Sequence, residues 1–380
     1  MDNRPSPPRR ILVRGVNWLG DAVMTTPALL RLRAQFPAAH IALLVPQKLQ
    51  DLWRHHPALD EVLTFAPETG LWQTAKRLRA GRFDLALALP NSPRSALEIF
   101  LAGIPERAGY ARAWRGFLLN HKVLPRAERV AMRKRSASEA KALAAAKDQS
   151  HPQEPVRRVL TDPANLAHQM HEYLHLAAAL GASADPLPPQ LCVMPDEVAA
   201  AQKKFGVNLQ PGLVLGLNPG AEYGPAKRWP AERFIATALA IQAKTRCTWV
   251  ILGGPRDMAT TAQIHAAIGA QGPTLNLAGQ TTLRELMAVL KLCRVLLTND
   301  TGPMHVAAAL GTPVVVPFGS TSPELTGPGL PGDRRHHLLT ADAGCAPCFL
   351  RECPIDFRCM QRIGAERVVE AVMAALESES

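Results

Sequence analysis

The chain has 380 residues, of which 47% are hydrophobic and 20% charged, and its formal net charge at pH 7 is +11. This length predicts two domains, each with its own core, and no apolar run approaches the length of a membrane span. The basic, proline-rich residues 1–10 lead into only three apolar residues, so no signal peptide is predicted and we expect a cytoplasmic protein.

The positive charge is concentrated in the first half of the chain. Residues 1–185 contain 26 Lys and Arg against 16 Asp and Glu, a balance of +10, whereas residues 186–380 have a balance of +1. This excess predicts an anionic partner, either a membrane surface or a phosphorylated glycolipid, unless it is only a solvated basic surface. Nucleic acid is not expected, because aromatic content is 5% and no zinc-finger, RNA-recognition or basic-helix pattern occurs.

Short apolar runs alternate with helical periodicity in the first hundred residues. The predicted strands are 11–13, 41–45, 62–65 and 85–89, and the predicted helices between them are 22–36, 49–55 and 71–80. This alternation predicts a parallel, doubly wound α/β sheet.

Segment 15–21 (GVNWLGD) follows the first predicted strand. Its glycines suit a tight turn that a ligand approaches closely, although the spacing of a dinucleotide fingerprint is absent. Asp21, at the start of the next helix, is either a helix cap, a role that Asp favours, or a catalytic carboxylate.

Segment 89–96 (LPNSPRSA) follows the fourth predicted strand, and more arginines come soon after it. Arginine pairs with phosphate and carboxylate through two parallel hydrogen bonds, so these arginines predict a surface for an anionic acceptor. The candidate acceptor-binding residues are Asn91, Ser92, Arg94 and Arg107, with Arg112 and Arg115 as further basic residues of this surface.

Residues 127–165 differ from the rest of the first half. Residues 127–147 are rich in Ala, Lys, Arg and Glu, and residues 151–163 contain three prolines, which predicts an exposed helical insertion followed by a linker-like stretch. The basic run 129–141 is either a solvated helix face or a contact with an anionic leaflet.

A second α/β series follows the linker-like segment 185–189 (DPLPP). Its predicted strands are 214–217, 249–252, 275–277, 295–298 and 314–317, and residues 368–376 form a closing helix. We therefore predict one domain at 1–185, with the 127–165 insertion, and another at 186–380, with a cleft between the two.

Two loops of the second half carry charged residues directly after predicted strands. Loop 218–230 (NPGAEYGPAKRWP) contains Lys227 and Arg228, which either neutralise a diphosphate or are solvated surface cations. Segment 253–257 (GGPRD) ends at Asp257, which either accepts hydrogen bonds from ribose hydroxyls or caps the next helix.

Segment 299–305 (NDTGPMH) is the most informative motif in the chain. It follows a buried strand, and Thr301 and Gly302 open a helix that ends near Gly311. Free N–H groups and the positive end of the helix dipole make such a turn an anion site, at the edge where open α/β sheets bind ligands. A diphosphate is therefore expected beside Asp300, with His305 about one turn into the helix.

Four of the seven cysteines lie within fifteen residues. Their spacing, Cys345-x2-Cys348-x4-Cys353-x5-Cys359, suits either a structural zinc or iron–sulfur site or a thiol-rich loop without a ligand. A cytoplasmic setting argues against disulfides, and the spacing lacks the usual paired C-x2-C form.

Taken together, these segments resemble the lipopolysaccharide heptosyltransferases of the ADP-heptose family, which are GT-B glycosyltransferases. The resemblance covers nearly the whole chain and depends most on Gly20-Asp21, loop 218–230 and segment 299–305, while segment 89–96 looks most like heptosyltransferases of type II. The 127–165 insertion and the cysteine cluster depart from some members of the family.

The resemblance implies an inverting transfer of heptose from ADP-heptose to a lipid A-linked inner core, at the cytoplasmic face of the inner membrane. Asp21 would deprotonate the acceptor hydroxyl, Lys227 would hold the ADP phosphates, and no catalytic cofactor would be needed. The donor's diphosphate and heptose would be bound by Asp300, Thr301, Gly302 and His305. The alternatives are a heptosyltransferase of another inner-core position or a non-catalytic sugar-nucleotide or glycolipid-binding protein with the same fold.

Overall fold

The structure is a computed structural model that describes residues 7–112, 114–150, 156–162, 166–207 and 212–377. The strands are β1 Arg10–Arg14, β2 His40–Pro46, β3 Glu61–Phe65, β4 Leu85–Ala88, β5 Glu106–Tyr110, β6 His121–Val123, β7 Arg157–Val159, β8 Val214–Asn218, β9 Thr248–Ile251, β10 Thr274–Asn276, β11 Val295–Thr298, β12 Val314–Phe318 and β13 His337–Thr340. The helices are α1 Leu19–Met24, α2 Thr26–Gln35, α3 Leu71–Ala80, α4 Pro93–Leu101, α5 Ala137–Ser150, α6 Met170–Ala178, α7 Pro195–Phe205, α8 Ala231–Thr245, α9 Met258–Gly269, α10 Leu283–Leu292, α11 Gly302–Ala309, α12 Pro323–Thr326, α13 Arg358–Gln361 and α14 Ala365–Glu377.

The chain forms two compact units. The first consists of Met1–Arg129 and Gln169–Cys192, and the second of Val130–His168 and Val193–Ser380. In the first unit the strand order is β3-β2-β1-β4-β5-β6, with every pair parallel. In the second unit β10-β9-β8-β11-β12-β13 repeats this order, and β7 adds an antiparallel edge. Both orders are those of a doubly wound Rossmann-like sheet, so the predicted α/β class with two Rossmann-like sheets is confirmed.

Apolar residues with no exposed surface explain why the strands form where they do. Ile11, Leu12 and Val13 of β1 are fully buried between helices, as expected for parallel strands that are covered on both faces. In the second unit, β8 and β11 are buried along their whole length. The ends of these central strands therefore have fixed positions for the loops that follow them.

The compact units differ from the predicted domains in one respect. Residues 130–168, most of the predicted 127–165 insertion, belong to the second unit, because Val159 of β7 pairs with Leu338 of β13 and the Lys147 ammonium lies 2.8 Å from the Asp342 carboxylate. Residues 151–155 and 163–165 of that stretch lie outside the described residues. The change of unit also reduces the charge contrast: the first unit carries 19 Lys and Arg against 12 Asp and Glu, and the second 24 against 20.

The single helix predicted at 22–36 is two helices, α1 and α2, with a break at Thr25. Pro27 at the start of α2 has no N–H to continue the first helix, and the hydroxyls of Thr25 and Thr26 bond to carbonyls of α1. The break gives Asp21 a short helix of its own beside β1. Among the described residues, no helix has the length and apolarity needed to span a bilayer.

Candidate functional site

In the second unit, two loops begin at the point where the strand order reverses. Loop 218–230 follows β8 and segment 299–305 follows β11, and these two strands are neighbours. The Asn299 side chain holds the loops together: its Oδ1 accepts from the N–H of Trp229 at 2.9 Å, and its Nδ2 donates to the carbonyl of Pro219 at 2.7 Å. Asn299 is fully buried, so this contact fixes the loop geometry. A crevice at such a strand reversal is where open α/β sheets bind ligands.

Lys227 and Asp300, which the sequence proposed separately, form one ion pair. The Lys227 ammonium lies 2.6 Å from Oδ2 of Asp300, and the two side chains are only 14% and 4% exposed. Oδ2 also accepts from the hydroxyl of Thr321 at 2.6 Å. The ammonium lies 5.2 Å from the centre of the Tyr223 ring, a cation–π contact that further orients it.

The helix predicted after Asp300 is present as α11, with Thr301 at its N-cap and Gly302 as its first residue. No side-chain hydrogen bond caps this end within the described residues, so the first-turn N–H groups keep the positive end of the dipole available to an anion. His305 is buried one turn in, and burial lowers its pKa to about 4, although Asp300 acts in the opposite direction. Its imidazole is therefore neutral at pH 7 and offers a hydrogen bond rather than a charge.

Asp257 lies beside the same loop and is held by two groups. Its Oδ1 accepts from Arg228 at 3.2 Å and its Oδ2 from the backbone N–H of Gly254 at 3.0 Å. A Cβ at Gly220 would lie 2.3 Å from Oδ2, so a larger residue there would displace this carboxylate from the β8 loop. Asp257 thus stabilises the turn that begins at Gly254, at the edge of the site. A role in binding ribose stays a prediction.

In the first unit, Asp21 is in the first turn of α1, directly after β1 and its loop. The N-cap position belongs to Trp18, and Asp21 lies in the first turn, where its carboxylate also stabilises the positive end of the helix; its role as a base stays a prediction. Nε2 of Gln169 donates to Oδ1 of Asp21 at 3.3 Å and also to the Tyr173 hydroxyl at 2.9 Å. Gln169 therefore orients the Asp21 carboxylate, a partner that sequence reasoning missed because α6 is distant along the chain.

The predicted acceptor residues have local roles in the structure. The Ser92 hydroxyl caps α4 by accepting from the N–H of Ser95, and Asn91 before it is exposed. Arg94 donates to Glu98 at 3.0 Å and to the carbonyl of Thr69 at 2.9 Å. The guanidinium of Arg107 donates to three backbone carbonyls, those of Ile104, Pro105 and Leu118. Both arginines are thus already engaged by the protein.

A buried ion pair connects the two loops at the strand reversal of the first unit. Nε of Arg14, the last residue of β1, lies 2.8 Å from Glu98 on α4, and both side chains are almost completely buried. Glu98 also accepts from Arg94, and Arg14 donates to Oδ1 of Asn17 at 3.2 Å. This network connects the loop that precedes α1, through Asn17, to helix α4, through Glu98 and Arg94. Sequence reasoning did not identify it.

The four clustered cysteines lie in the loop before α13 and at the start of that helix. Their thiols are close enough to influence one another: burial, and then its neighbours Cys345, Cys348 and Cys353, raise the pKa of Cys359 to about 12. Across the described part of the chain, no group of three or more His, Cys, Asp or Glu residues is arranged to hold a metal ion, so the structure gives no support to the predicted metal site at these residues.

The cysteine-containing loop supports the Lys227 loop directly. The Tyr223 hydroxyl donates to the carbonyl of Phe349 at 2.9 Å, and the N–H of Ala226 donates to the carbonyl of Arg351 at 2.9 Å. At Gly224 a Cβ would lie 2.5 Å from that same Arg351 oxygen. The close backbone contact shows that this segment packs against the ion pair's loop.

Comparison with known proteins gives matches over most of the chain. The family model described as glycosyltransferase family 9 (heptosyltransferase) matches residues 71–159 and 121–357. Lipopolysaccharide heptosyltransferase 2 of Escherichia coli K12 is 32% identical over 335 residues, covering 84% of this chain and 85% of that protein. Lipooligosaccharide heptosyltransferase 2 of Haemophilus ducreyi is 30% identical, with 84% and 86% covered. The solved structure of the E. coli ADP-heptose LPS heptosyltransferase II has a TM-score of 0.76 at 28% identity, covering 97% of this chain and 99% of that one.

Proposed function

Because this chain belongs to glycosyltransferase family 9, we propose that it is a heptosyltransferase II, which transfers heptose from ADP-L-glycero-D-manno-heptose to the heptosyl-Kdo2-lipid A inner core of lipopolysaccharide. The chain is a glycosyltransferase with the GT-B fold, and its relatives at about 30% identity are named heptosyltransferase 2. The single observation that carries the donor assignment is the buried Lys227–Asp300 pair at the open N-terminus of α11.

The second unit supplies the groups suited to the donor. The first-turn N–H groups at Thr301 and Gly302, together with the Lys227 ammonium, stabilise the charge that develops on the departing ADP. Asp300, fixed by Lys227 and Thr321, and the neutral His305 imidazole provide hydrogen bonds for the heptose hydroxyls. Asp257 is proposed to reach the ribose.

The first unit supplies the base. Asp21 takes the proton from the acceptor hydroxyl, whose oxygen attacks the anomeric carbon of heptose as the bond to the diphosphate breaks and ADP leaves. Attack on the side opposite the leaving group inverts the anomeric configuration. The hydrogen bond from Gln169 keeps the carboxylate in one orientation. Asn91, Ser92, Arg94 and Arg107 are proposed to border the acceptor.

We propose that the transfer needs no catalytic metal, because the ammonium of Lys227 and the helix terminus supply the positive charge that a metal would otherwise supply. The cysteine cluster has no role in these steps. Metal occupancy at Cys345, Cys348, Cys353 and Cys359 stays a prediction for elemental analysis.

We also propose that this cytoplasmic enzyme contacts the inner membrane peripherally at its cytoplasmic face. Trp114, Phe117 and Leu124 in the first unit are 86%, 74% and 73% exposed, and aromatic side chains of this kind favour the lipid headgroup region. The expected result is that the Trp114→Ser/Phe117→Ser variant floats less with phosphatidylglycerol vesicles than the wild type. Trp72→Ser, at a 71% exposed tryptophan of α3, is the matched control. Equal flotation of all three proteins would contradict this contact.

The donor assignment is tested by offering ADP-heptose and matched UDP- and GDP-sugars with one acceptor, while nucleotide release is followed. ADP-heptose is expected to be the substrate, and calorimetry should show ADP binding that Lys227→Met weakens by about 10- to 100-fold, the loss of one charge-assisted contact. Release from a UDP-sugar but not from ADP-heptose would contradict the proposal.

A further inference from the structure

Two arginines between β5 and β6 have donors that the protein leaves without acceptors. Arg115 is fully buried, yet within the residues that the structure describes its Nε and Nη2 atoms have no hydrogen-bond partner. The same two atoms of Arg112 are also buried and unpartnered there. The other terminal nitrogen of Arg115, Nη1, donates to the carbonyl of Pro90. Buried polar groups are nearly always paired, so this exception requires an explanation.

The unpartnered atoms have a shared geometry. In a guanidinium group, the Nε and Nη2 hydrogens point in the same direction along one edge, and this edge matches the two oxygens of a carboxylate or phosphate. In both Arg112 and Arg115 this edge is buried and has no hydrogen-bond acceptor among the described residues. Glycine at position 109 makes room beside it, because a Cβ there would lie 2.9 Å from Nη2 of Arg115.

Other buried arginines of this unit are paired with carboxylates. Arg14 is 2.8 Å from Glu98, and Arg126 is 3.6 Å from Glu172. For Arg115, burial and then the positive charge of Arg112 lower the pKa to about 10, so its neighbour increases the cost of the charge. An uncompensated buried charge is destabilising, and such costs are kept where function requires them.

The position of the pair suggests which ligand completes it. Arg115 donates to the carbonyl of Pro90, two residues after the end of β4, and packs against Gly109 in β5. The carboxyl ends of parallel strands share one edge of a sheet, so this is the edge at which Asp21 follows β1. The ligand expected at these arginines is therefore an acceptor that presents its hydroxyl to Asp21.

We infer that Arg115 and Arg112 form a binding site for an oxyanion, a phosphate or a carboxylate, carried by the acceptor. This inference rests on the proposed function, since it assigns the anion to the acceptor rather than to the nucleotide. It also replaces the expectation that Arg94 and Arg107 are the main anion ligands, because their guanidinium groups are already bonded to Glu98, to Thr69 and to backbone carbonyls. Arg115 is the central residue of the site, and Arg112 supplies a second guanidinium group to the same anion.

The test compares two variants. Arg115→Gln removes the positive charge, and Arg115→Lys keeps the charge but lacks the paired Nε and Nη2 donors. Arg79→Gln is the control, because Arg79 bonds to the carbonyls of Leu101 and Ala102 in the same unit. Arg115→Gln should raise the acceptor KM by at least about tenfold and leave the ADP affinity within about twofold. Arg115→Lys should recover part of the loss, and Arg79→Gln should leave KM unchanged.

Thermal unfolding supplies a second measurement that does not depend on transfer. Arg115→Gln should unfold at the wild-type temperature or above it, because it removes an uncompensated charge, and it should lose part of the stabilisation that inorganic phosphate gives the wild type. A lower unfolding temperature with an unchanged response to phosphate and an unchanged acceptor KM would overturn the inference and make Arg115 structural.

Two further outcomes separate the possible sources of the anion and the two proposals. If treating the acceptor with phosphatase abolishes the difference in KM between wild type and Arg115→Gln, the anion is a phosphate; if the difference persists, it is a carboxylate. If the wild type transfers no heptose but the variant still loses its response to phosphate, the anion site is supported and the proposed function fails. If the variant responds to phosphate like the wild type while the wild type is active, the anion site alone fails.

Discussion

The Lys227–Asp300 pair gives the sharpest test of how the donor site is built. Lys227→Met keeps most of the side chain but leaves Asp300, which is 4% exposed, with the Thr321 hydroxyl as the one remaining donor to its Oδ2 among the described residues. At 2.6 Å and an effective dielectric constant of about 20, the attraction that is lost is about 6 kcal/mol before desolvation is counted. Breaking a buried pair by removing one partner costs about 3–5 kcal/mol, which lowers the unfolding temperature of a domain of this size by roughly 6–20 °C.

The matched control is Lys204→Met in the same unit. Lys204 also lies 2.6 Å from its partner, Glu285, but these side chains are 55% and 23% exposed. Exposed pairs contribute less than about 1 kcal/mol, so this variant should unfold within about 4 °C of the wild type. The comparison holds the distance constant and changes only the burial.

The double variant Lys227→Met/Asp300→Asn separates stability from binding. Removing the orphaned carboxylate should restore most of the stability, because no uncompensated charge remains, whereas ADP affinity should stay weak without the ammonium. Scanning calorimetry and ADP titration measure the two properties on the same samples. A double variant no more stable than Lys227→Met, or equal losses of stability for Lys204→Met and Lys227→Met, would show that Asp300 is not a buried charge that depends on Lys227.

The remaining predictions concern the base, the histidines and the cysteines. Asp21→Asn should lower the transfer rate by about 10²–10⁴-fold with ADP affinity unchanged, and near-normal turnover would remove Asp21 from the role of base. Burial lowers the pKa values of His56, His305, His336 and His337 to about 4. The stability that these neutral imidazoles contribute is therefore complete above the unfolded-state pKa near 6.5 and is lost as pH falls toward 4. His305→Gln should reduce the loss of unfolding free energy between pH 7 and pH 4.5 by about 2 kcal/mol, measured by denaturant unfolding, and an unchanged loss would contradict the buried, neutral imidazole. Chelation of anaerobically purified protein should leave transfer unaffected, whatever metal elemental analysis finds at the cysteines, and loss of activity with an intact circular dichroism spectrum would count against this prediction.

The sequence was informative wherever local chemistry determined the structure. Uninterrupted apolar runs gave the central strands, and glycine and polar residues directly after them gave the loops that contain Asp21, Lys227 and Asp300. The helix start at Thr301 and Gly302 followed from the residues themselves. In each case the evidence lay within about ten residues of the feature.

Long-range contacts were not predictable in the same way. Thr321 follows β12, and its bond to Asp300 depends on β12 lying beside β11. Likewise, the placement of residues 130–168 depends on β7 pairing with β13. Nothing in either segment alone specifies its partner strand, so both features became visible only in the fold.

The arginines show a related limit. From the sequence, Arg94 and Arg107 were the candidate anion ligands, and Arg112 and Arg115 were only further basic residues of the same surface. The structure distinguishes them, because the guanidinium groups of Arg94 and Arg107 find acceptors within the protein, while Arg112 and Arg115 retain unpartnered donors among the described residues. Charge is a property of composition, but hydrogen-bond satisfaction is a property of packing.

The proposal that this chain is a heptosyltransferase II is tested most directly by its choice of acceptor. With ADP-heptose as donor, the purified enzyme should be offered two lipid A-linked acceptors, one that ends in Kdo and one that carries the first heptose, and the products should be weighed by mass spectrometry. One heptose should be added to the second acceptor and none to the first, and Asp21→Asn should give no product in the same time. Addition of heptose to the acceptor that ends in Kdo, or no addition to either, would contradict the proposal.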